Sequence, residues 1–322
     1  MAHLYGGNIL LVDLSRGEIT KEPTSQYTRS FLGGRGINIK LFYDHIQKGI
    51  DPLSAENILV FGVGPLGGTT LSSGRTEVTA KSPETGLLGS SNFGGFWGGE
   101  LKYAGYDHIV IKGKADRPSY LWINNDQVEI RDAGAYWGKD AYQTQELIRQ
   151  NVGNLDVKIA CIGQAGENLV RFSTIQHELG NAAGRTGMGT VMGSKNLKAI
   201  VVRGTNQLTV ADPEKFLDHA AQLFEIIKNH PECRRLSEEG VAPFQEEAAD
   251  PDFLKAAVKG CNVDKMPSML AIAKSQPSKR TGCQGCPVQC MELFQVDGVG
   301  KGAISCELYP EWSLVVGCHD TA

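Results

Sequence analysis

The chain lacks most of the features that would place it at a glance. No run of about 18 apolar residues is present, so no segment reads as a membrane-spanning helix. The first residues, Met-Ala-His-Leu-Tyr-Gly-Gly-Asn-Ile-Leu-Leu-Val-Asp-Leu, have neither a basic cluster nor a long apolar core, and do not read as a signal peptide. There is no excess of positive charge: 32 lysines and arginines are interspersed with 36 aspartates and glutamates, for a formal net charge of −4. That leaves no basic field for nucleic acid or for an anionic membrane surface. Internal repeats and low-complexity tracts are absent too. No G-x-G-x-x-G follows a strand with an acid about 20 residues further on, which argues against a dinucleotide-binding unit. The nearest approach, Gly184 to Gly189, is spaced G-x-x-G-x-G.

What is there is a 322-residue chain, 41% hydrophobic, enough for one large domain and part of another. Its eight cysteines are uneven, with five between Cys283 and Cys318. A secreted disulfide scaffold would spread them more widely, so a reducing cytoplasm and metal ligation are expected. The centre of this cluster is Cys283-Gln284-Gly285-Cys286-Pro287-Val288-Gln289-Cys290, spaced C-x2-C-x3-C. Thiolates this close can converge on one centre, and the spacing with its proline belongs to the iron–sulfur repertoire. Three ligands are not four, and on spacing alone a structural zinc site with Cys306 as a further thiolate stays open.

Strands are expected where Val, Ile, Leu and Tyr run between Gly, Asp, Asn and Pro: 8–14, 58–62, 77–80, 108–112, 119–123, 127–131, 157–162 and 199–203. Asn124-Asn125-Asp126 reads as a hairpin turn. Helices are expected at about 37–46, 98–104 and 141–151, where apolar residues recur three or four apart. Near 204–212 the texture changes: Asp212-Pro213-Glu214 is a helix start, and Phe216, Ala220, Leu223, Phe224 and Ile227 mark one helical face. The fold class expected is α+β, with a β-rich domain over 1–207 and an incomplete helical domain over 208–322 that carries the cysteines.

Three glycine-rich segments stand out: Phe31-Leu32-Gly33-Gly34-Arg35-Gly36, Ser91-Asn92-Phe93-Gly94-Gly95-Phe96-Trp97-Gly98-Gly99, and Ala182-Ala183-Gly184-Arg185-Thr186-Gly187-Met188-Gly189. Glycine lets backbone N–H groups approach phosphate or a heterocycle edge, and a neighbouring arginine adds a fork for phosphate. Arg35, Arg75 and Arg185 have that setting. The plain alternative is that each glycine marks a bend or tight sheet packing.

In order along the chain, Ser73-Gly74-Arg75, Lys81-Ser82-Pro83-Glu84-Thr85-Gly86, Gly94-Gly95-Phe96-Trp97, Glu100 to Asp107, Ile162 to Asn168 and Met192 to Ala199, followed by the C-x2-C-x3-C run, resemble the aldehyde ferredoxin oxidoreductase family. These are tungsten- or molybdenum-pterin enzymes. The resemblance implies a β-rich base under a bis-pterin metal cofactor, helical domains enclosing it, and a nearby [4Fe–4S] cluster. Carried onto this chain, Arg75 lies between pterin and cluster. Asn92, Gly94, Ala182 and Gly184 are pterin-contacting positions, with Arg185 beside them, and Cys283, Cys286 and Cys290 are three cluster ligands. Asn181 stands where aldehyde-oxidising members can have arginine, which puts one phosphate or pterin contact in doubt.

The resemblance further implies that Glu311, in Tyr309-Pro310-Glu311, is a metal-proximal acid that shuttles a proton. Cys306, sixteen residues beyond Cys290, matches a metal-reaching cysteine in the catalytic subunit of tungsten-dependent benzoyl-CoA reductase. The family's fourth cluster ligand comes from further downstream, so the chain is expected to correspond to the first half of such an enzyme. An aldehyde would be the substrate and ferredoxin or an electron-transfer subunit the acceptor, and a homodimer is compatible. A cluster-only electron carrier and a structural zinc protein are the competing classes.

Overall fold

The computed structural model describes residues 3–71, 74–241, 278–296 and 300–304. Its first six strands are β1 (Asn8–Asp13), β2 (Glu18–Pro23), β3 (Leu59–Val63), β4 (Thr76–Lys81), β5 (Leu88–Phe93) and β6 (Tyr106–Lys112). They form one sheet in the order β2-β1-β6-β3-β4-β5, antiparallel except where β1 lies parallel to β6. The next six, β7 (Ser119–Asn124), β8 (Gln127–Asp132), β9 (Lys158–Cys161), β10 (Ile175–His177), β11 (Asn181–Ala183) and β12 (Leu197–Arg203), form a second sheet in the order β11-β10-β9-β12-β7-β8. The helices among them are α1 (Arg35–His45), α2 (Trp97–Tyr103), α3 (Ala141–Val152), α4 (Gln164–Glu167) and α5 (Met188–Ser194). The fold class is α+β, as expected.

Both sheets are buried on both faces, which is why their central strands read as near-continuous apolar runs. Along β12, Leu197, Ile200 and Val202 join one apolar cluster while Ala199 and Val201 join another. Along β3, Leu59 and Phe61 enter the first cluster, and Val60 packs with Ile37 and Leu41 of α1. That first cluster is shared by the two sheets and takes in Trp97 and Leu101 of α2 and Met188, Val191 and Met192 of α5. The layers therefore run α1, sheet, α2 with α5, sheet, α3.

The helices of the middle layer are glycine-rich where neighbouring groups come close. A Cβ on Gly98 would stand 2.5 Å from Thr76 Oγ1, and one on Gly193 would stand 2.0 Å from the Gly166 carbonyl oxygen. Between them Trp97 is fully buried, its indole N–H donating to the Ile200 carbonyl at 3.2 Å and its ring centroid 5.5 Å from that of Phe61. Ionic side chains buried at this level are paired or well bonded, as their desolvation demands. Lys198 meets Glu167 and donates to the Lys139 carbonyl at 2.8 Å. Lys102 donates to the carbonyls of Leu4, Gly64 and Pro65, and burial pushes its ammonium down to about 8.

The expected hairpin is present, with Asn125 at φ 50 between β7 and β8. The helix start at Asp212 is also present: α6 spans Pro213–Asn229, and its Lys215 N–H donates to Asp212 Oδ1 at 3.1 Å. α7 (Pro231–Glu239) follows, then β13 (Ser278–Thr281), β14 (Met291–Val296) and β15 (Gly300–Ile304) as an antiparallel three-stranded sheet that the sequence reading did not anticipate. Within it Arg280 pairs with the buried Glu292 at 3.1 Å. The chain divides into two compact units, Met1–Ala220 with Cys283–Cys286, and Ala221–Gly282 with Pro287–Ala322.

Candidate functional site

β5 ends the first sheet and β11 ends the second, and the two edges are joined where Ser91 Oγ donates to the Gly184 carbonyl at 2.8 Å. This seam gathers the residues nominated from sequence. Arg75, just before β4, is exposed and donates from Nη1 to Asn92 Oδ1 at 3.1 Å. Asn92 lies opposite Glu77 in the β4–β5 ladder. Glu77 in turn accepts from Arg35, at 2.9 Å from Nε and 3.4 Å from Nη2, and from the Ser90 hydroxyl. Ala182 and Arg185 are exposed, and Arg185 sits at φ 71, a left-handed conformation that side chains other than glycine enter at a cost of about 1–2 kcal/mol.

The cysteine loop closes the seam from the other side. Gln284 N–H donates to the Gly95 carbonyl at 3.2 Å, and Cys286 N–H donates to the Cys283 carbonyl at 3.1 Å. A Cβ on Gly94 would lie 2.5 Å from Cys283 Sγ and 2.9 Å from Asn181 Oδ1, so only glycine admits the thiol at this position. Cys283 Sγ stands 3.9 Å from Asn181 Oδ1. Burial pushes the Cys283 thiol up, while the Gly95 amide and the Arg75 charge pull the other way.

His177 supports the same turn from beneath. It is fully buried, with Nδ1 2.8 Å from the Ile159 carbonyl, and its Nε2 accepts from the Phe96 N–H at 3.2 Å. A carbonyl can only accept and an N–H can only donate, so the ring is the neutral Nδ1–H tautomer. Desolvation holds it at about 3, and its 3.8 Å approach to Glu178 is therefore not an ion pair.

The structure thus brings together Arg75, Asn92, Gly94, Asn181, Ala182, Gly184, Arg185 and Cys283, with Cys286 on the same loop. Cys290 falls in the second compact unit. Glu311 and Cys306 lie outside the described residues, as do Ser73, Cys261, Cys318 and His319. Cys161 is buried against the Ala141 carbonyl with its thiol pushed up to about 12. The sequence reading gave no part in the site to His177, Tyr103, Gln284 or Glu77. The only available hint was the doubled glycine pairs Gly94-Gly95 and Gly98-Gly99, which mark where something must come close.

Several features fit a bound pterin. Asn181 is 8% exposed and its Nδ2 has no partner, a donor without an acceptor in a place where that is costly. Gly184 has nothing nearer its Cβ direction than Thr174 Cγ2 at 3.9 Å, and the exposed Arg185 follows it in the chain. For a cluster the thiols have the right chemistry, but among the described residues no three His, Cys, Asp or Glu side chains stand together as a metal-holding group.

Residues 9–204 match the family model described as the N-terminal domain of aldehyde ferredoxin oxidoreductase. The chain is 46% identical to a tungsten-containing aldehyde ferredoxin oxidoreductase of Pyrococcus horikoshii, over 92% of this chain and 50% of that protein. It is 32% identical to the WOR-like subunit of an aliphatic sulfonate oxidoreductase of Pyrococcus furiosus, over 94% of this chain and 51% of that one. Among solved structures, the active-site complex BamBC of benzoyl coenzyme A reductase, in complex with 1,5-dienoyl-CoA, matches with a TM-score of 0.85 at 33% identity. That match covers 98% of this chain and 51% of the other. The chain spans about half the length of these relatives.

Proposed function

This chain belongs to the aldehyde ferredoxin oxidoreductase family, and from that premise we propose that it is the cofactor-facing part of a metal-pterin oxidoreductase. It converts an aldehyde to a carboxylic acid in the cytoplasm and passes the electrons through a [4Fe–4S] cluster to ferredoxin or a partner subunit. The observation that carries this reading is the convergence on one seam of Arg75, Asn92, Asn181, Gly184 and Arg185 with the Cys283 thiol. The substrate balance is aldehyde plus water to carboxylic acid, two protons and two electrons.

In this reading residues 1–207 form the base of the cofactor site, and 208–322 begin a helical domain that carries cluster ligands. The exposed guanidiniums of Arg75 and Arg185 would hold phosphate groups of the pterin, with Arg75 oriented by Asn92. Asn181 Nδ2 would donate to the heterocycle, and the backbone at Gly94, Ala182 and Gly184 would line it, with open space on the Cβ side of Gly184. Cys283, Cys286 and Cys290 would ligate the cluster. Glu311 would accept or return the proton, which requires burial to raise its pKa toward neutrality. The bound tungsten- or molybdenum-pterin supplies the redox chemistry.

A second reading, a catalytic subunit resembling that of benzoyl-CoA reductase, is favoured by the match over 98% of this chain to that complex and by the position of Cys306. The two readings separate in one set of measurements on the anaerobically purified full-length protein. Tungsten or molybdenum together with iron and acid-labile sulfide is expected, with ferredoxin reduction driven by aldehydes. Turnover of aromatic acyl-CoA in place of aldehydes would select the second reading. Stoichiometric zinc in a colourless protein would overturn both.

A further inference from the structure

The loop carrying Cys283 and Cys286 is held by a line of hydrogen bonds that the proposed chemistry does not use. Gln284 Nε2 donates to the Tyr103 hydroxyl at 3.1 Å, and the Tyr103 hydroxyl donates to the Gly68 carbonyl. A phenol has one proton, here given to Gly68, so the amide must meet its lone pair. This fixes the orientation of Gln284, with Oε1 turned to Gly99 and buried without a partner. Gly99 makes the room: a Cβ there would stand 1.7 Å from that oxygen. The same residue is tied through its backbone N–H to the Gly95 carbonyl. Tyr103 meanwhile lines an open cavity of about 520 Å³ with Gly68, Thr69, Asn206, Leu208 and Phe216.

We infer that Tyr103 and Gln284 are positioning residues, a clamp that sets where the Cys283 thiol stands against Gly94, Gly95 and Asn181, and hence the geometry in which the loop receives a cluster. Only the last step rests on the proposed function. The clamp itself is a property of the chain's own hydrogen bonds. Three substitutions disturb it differently. Gln284→Ala removes the side chain. Tyr103→Phe removes one hydroxyl. Gly99→Ala leaves both partners intact and displaces the flexible end of Gln284, while raising the helix propensity of α2.

The test is the rate of iodoacetamide alkylation of Cys283, read by mass spectrometry on the full-length metal-free protein, with the buried Cys161 as the monitor of global unfolding. Each variant is expected to raise the Cys283 rate about fivefold, which is the loss of about 1 kcal/mol for one hydrogen bond, while Cys161 stays unmodified. Unchanged Cys283 rates in all three, or a rise matched at Cys161, overturns the clamp. In the anaerobic holoprotein, Tyr103→Phe is then expected to shift the paramagnetic resonance spectrum of the reduced cluster at unchanged iron content. An unshifted spectrum overturns the extension to the cluster. A wild-type protein that holds no iron overturns the cluster reading and leaves the alkylation rates to decide the clamp.

Discussion

The space between the two sheets and the seam where their edges meet are built from opposite materials. Between the sheets, Trp97, Phe61, Leu101, Met192 and Ile200 are buried among carbon atoms, and the buried ionic groups have partners. At the seam, Arg75, Ala182 and Arg185 are exposed, Asn181 Nδ2 is buried without a partner, and glycines stand where side chains would fill the gap. The first region is filled by its own apolar side chains, and the second is the candidate site proposed above. Stability should therefore respond to change between the sheets, and ligand retention to change at the seam.

The largest effect expected from a single substitution is in the middle layer. Trp97→Ala removes the indole that joins α2 to both sheets and should lower the unfolding free energy by about 3–5 kcal/mol in a urea titration. A loss below 1 kcal/mol would mean that the two sheets do not share a core through this side chain.

Next comes acid. His108 and His177 are fully buried and both held at about 3, well below their usual 6.5. Because the folded value is the lower one, each contributes stability that is complete above pH 6.5 and is lost as pH falls toward 3. Between pH 7 and 5.5 the two together should cost about 2.5 kcal/mol, measured by urea unfolding at each pH. Asp107 and Glu178 are raised by burial and have the opposite sign, opposing this loss as pH falls. A flat profile from 7 to 5.5 would show that the two rings are not kept neutral by burial.

Substitutions at the seam should divide differently. Gly94→Ala forces a methyl against Cys283 Sγ and Asn181 Oδ1, with an expected loss of about 1–2 kcal/mol and faster alkylation of Cys283. Arg75→Ala should change the unfolding free energy by less than about 0.5 kcal/mol, as for other exposed side chains. It should nevertheless lower the metal and pterin content of the purified holoprotein. If Arg75→Ala destabilised the metal-free protein as much as Trp97→Ala, the contrast between the two regions would fail.

The same division decides what could be read from sequence. β3, β6, β7, β9 and β12 are rich in Val, Ile and Leu because both faces are covered, and they were legible to within two residues at each end. β5, Leu-Gly-Ser-Ser-Asn-Phe, and β11, Asn-Ala-Ala, were not, because they owe their pairing to neighbouring strands rather than to their own propensity. Yet these are the two edges that carry the candidate site. α5 was hidden for a related reason: its glycines read as ligand-approach points, bends or tight sheet packing, whereas packing against Gly166 and Thr174 requires them in the helix. Site residues next to an arginine or in the cysteine motif were legible as chemistry. Asn181 read as the loss of a contact, and its place beside Cys283 depends on a sheet edge that sequence did not disclose. His177 had no visible companion, since its partners are the backbone groups of Ile159 and Phe96.

The parallel pairing of β1 with β6 inside the first sheet bears on how the chain is made. β1 is flanked by β2, which follows it at once, and by β6, where Asn8 lies opposite Tyr106. A ribosome adding about 5–20 residues per second delivers the β1–β2 hairpin several seconds before its other neighbour. During that interval one apolar edge has no native partner, and pairing so distant in sequence is intrinsically slow to form. A holdase chaperone present during translation should raise the soluble yield by protecting that edge until residue 112 emerges.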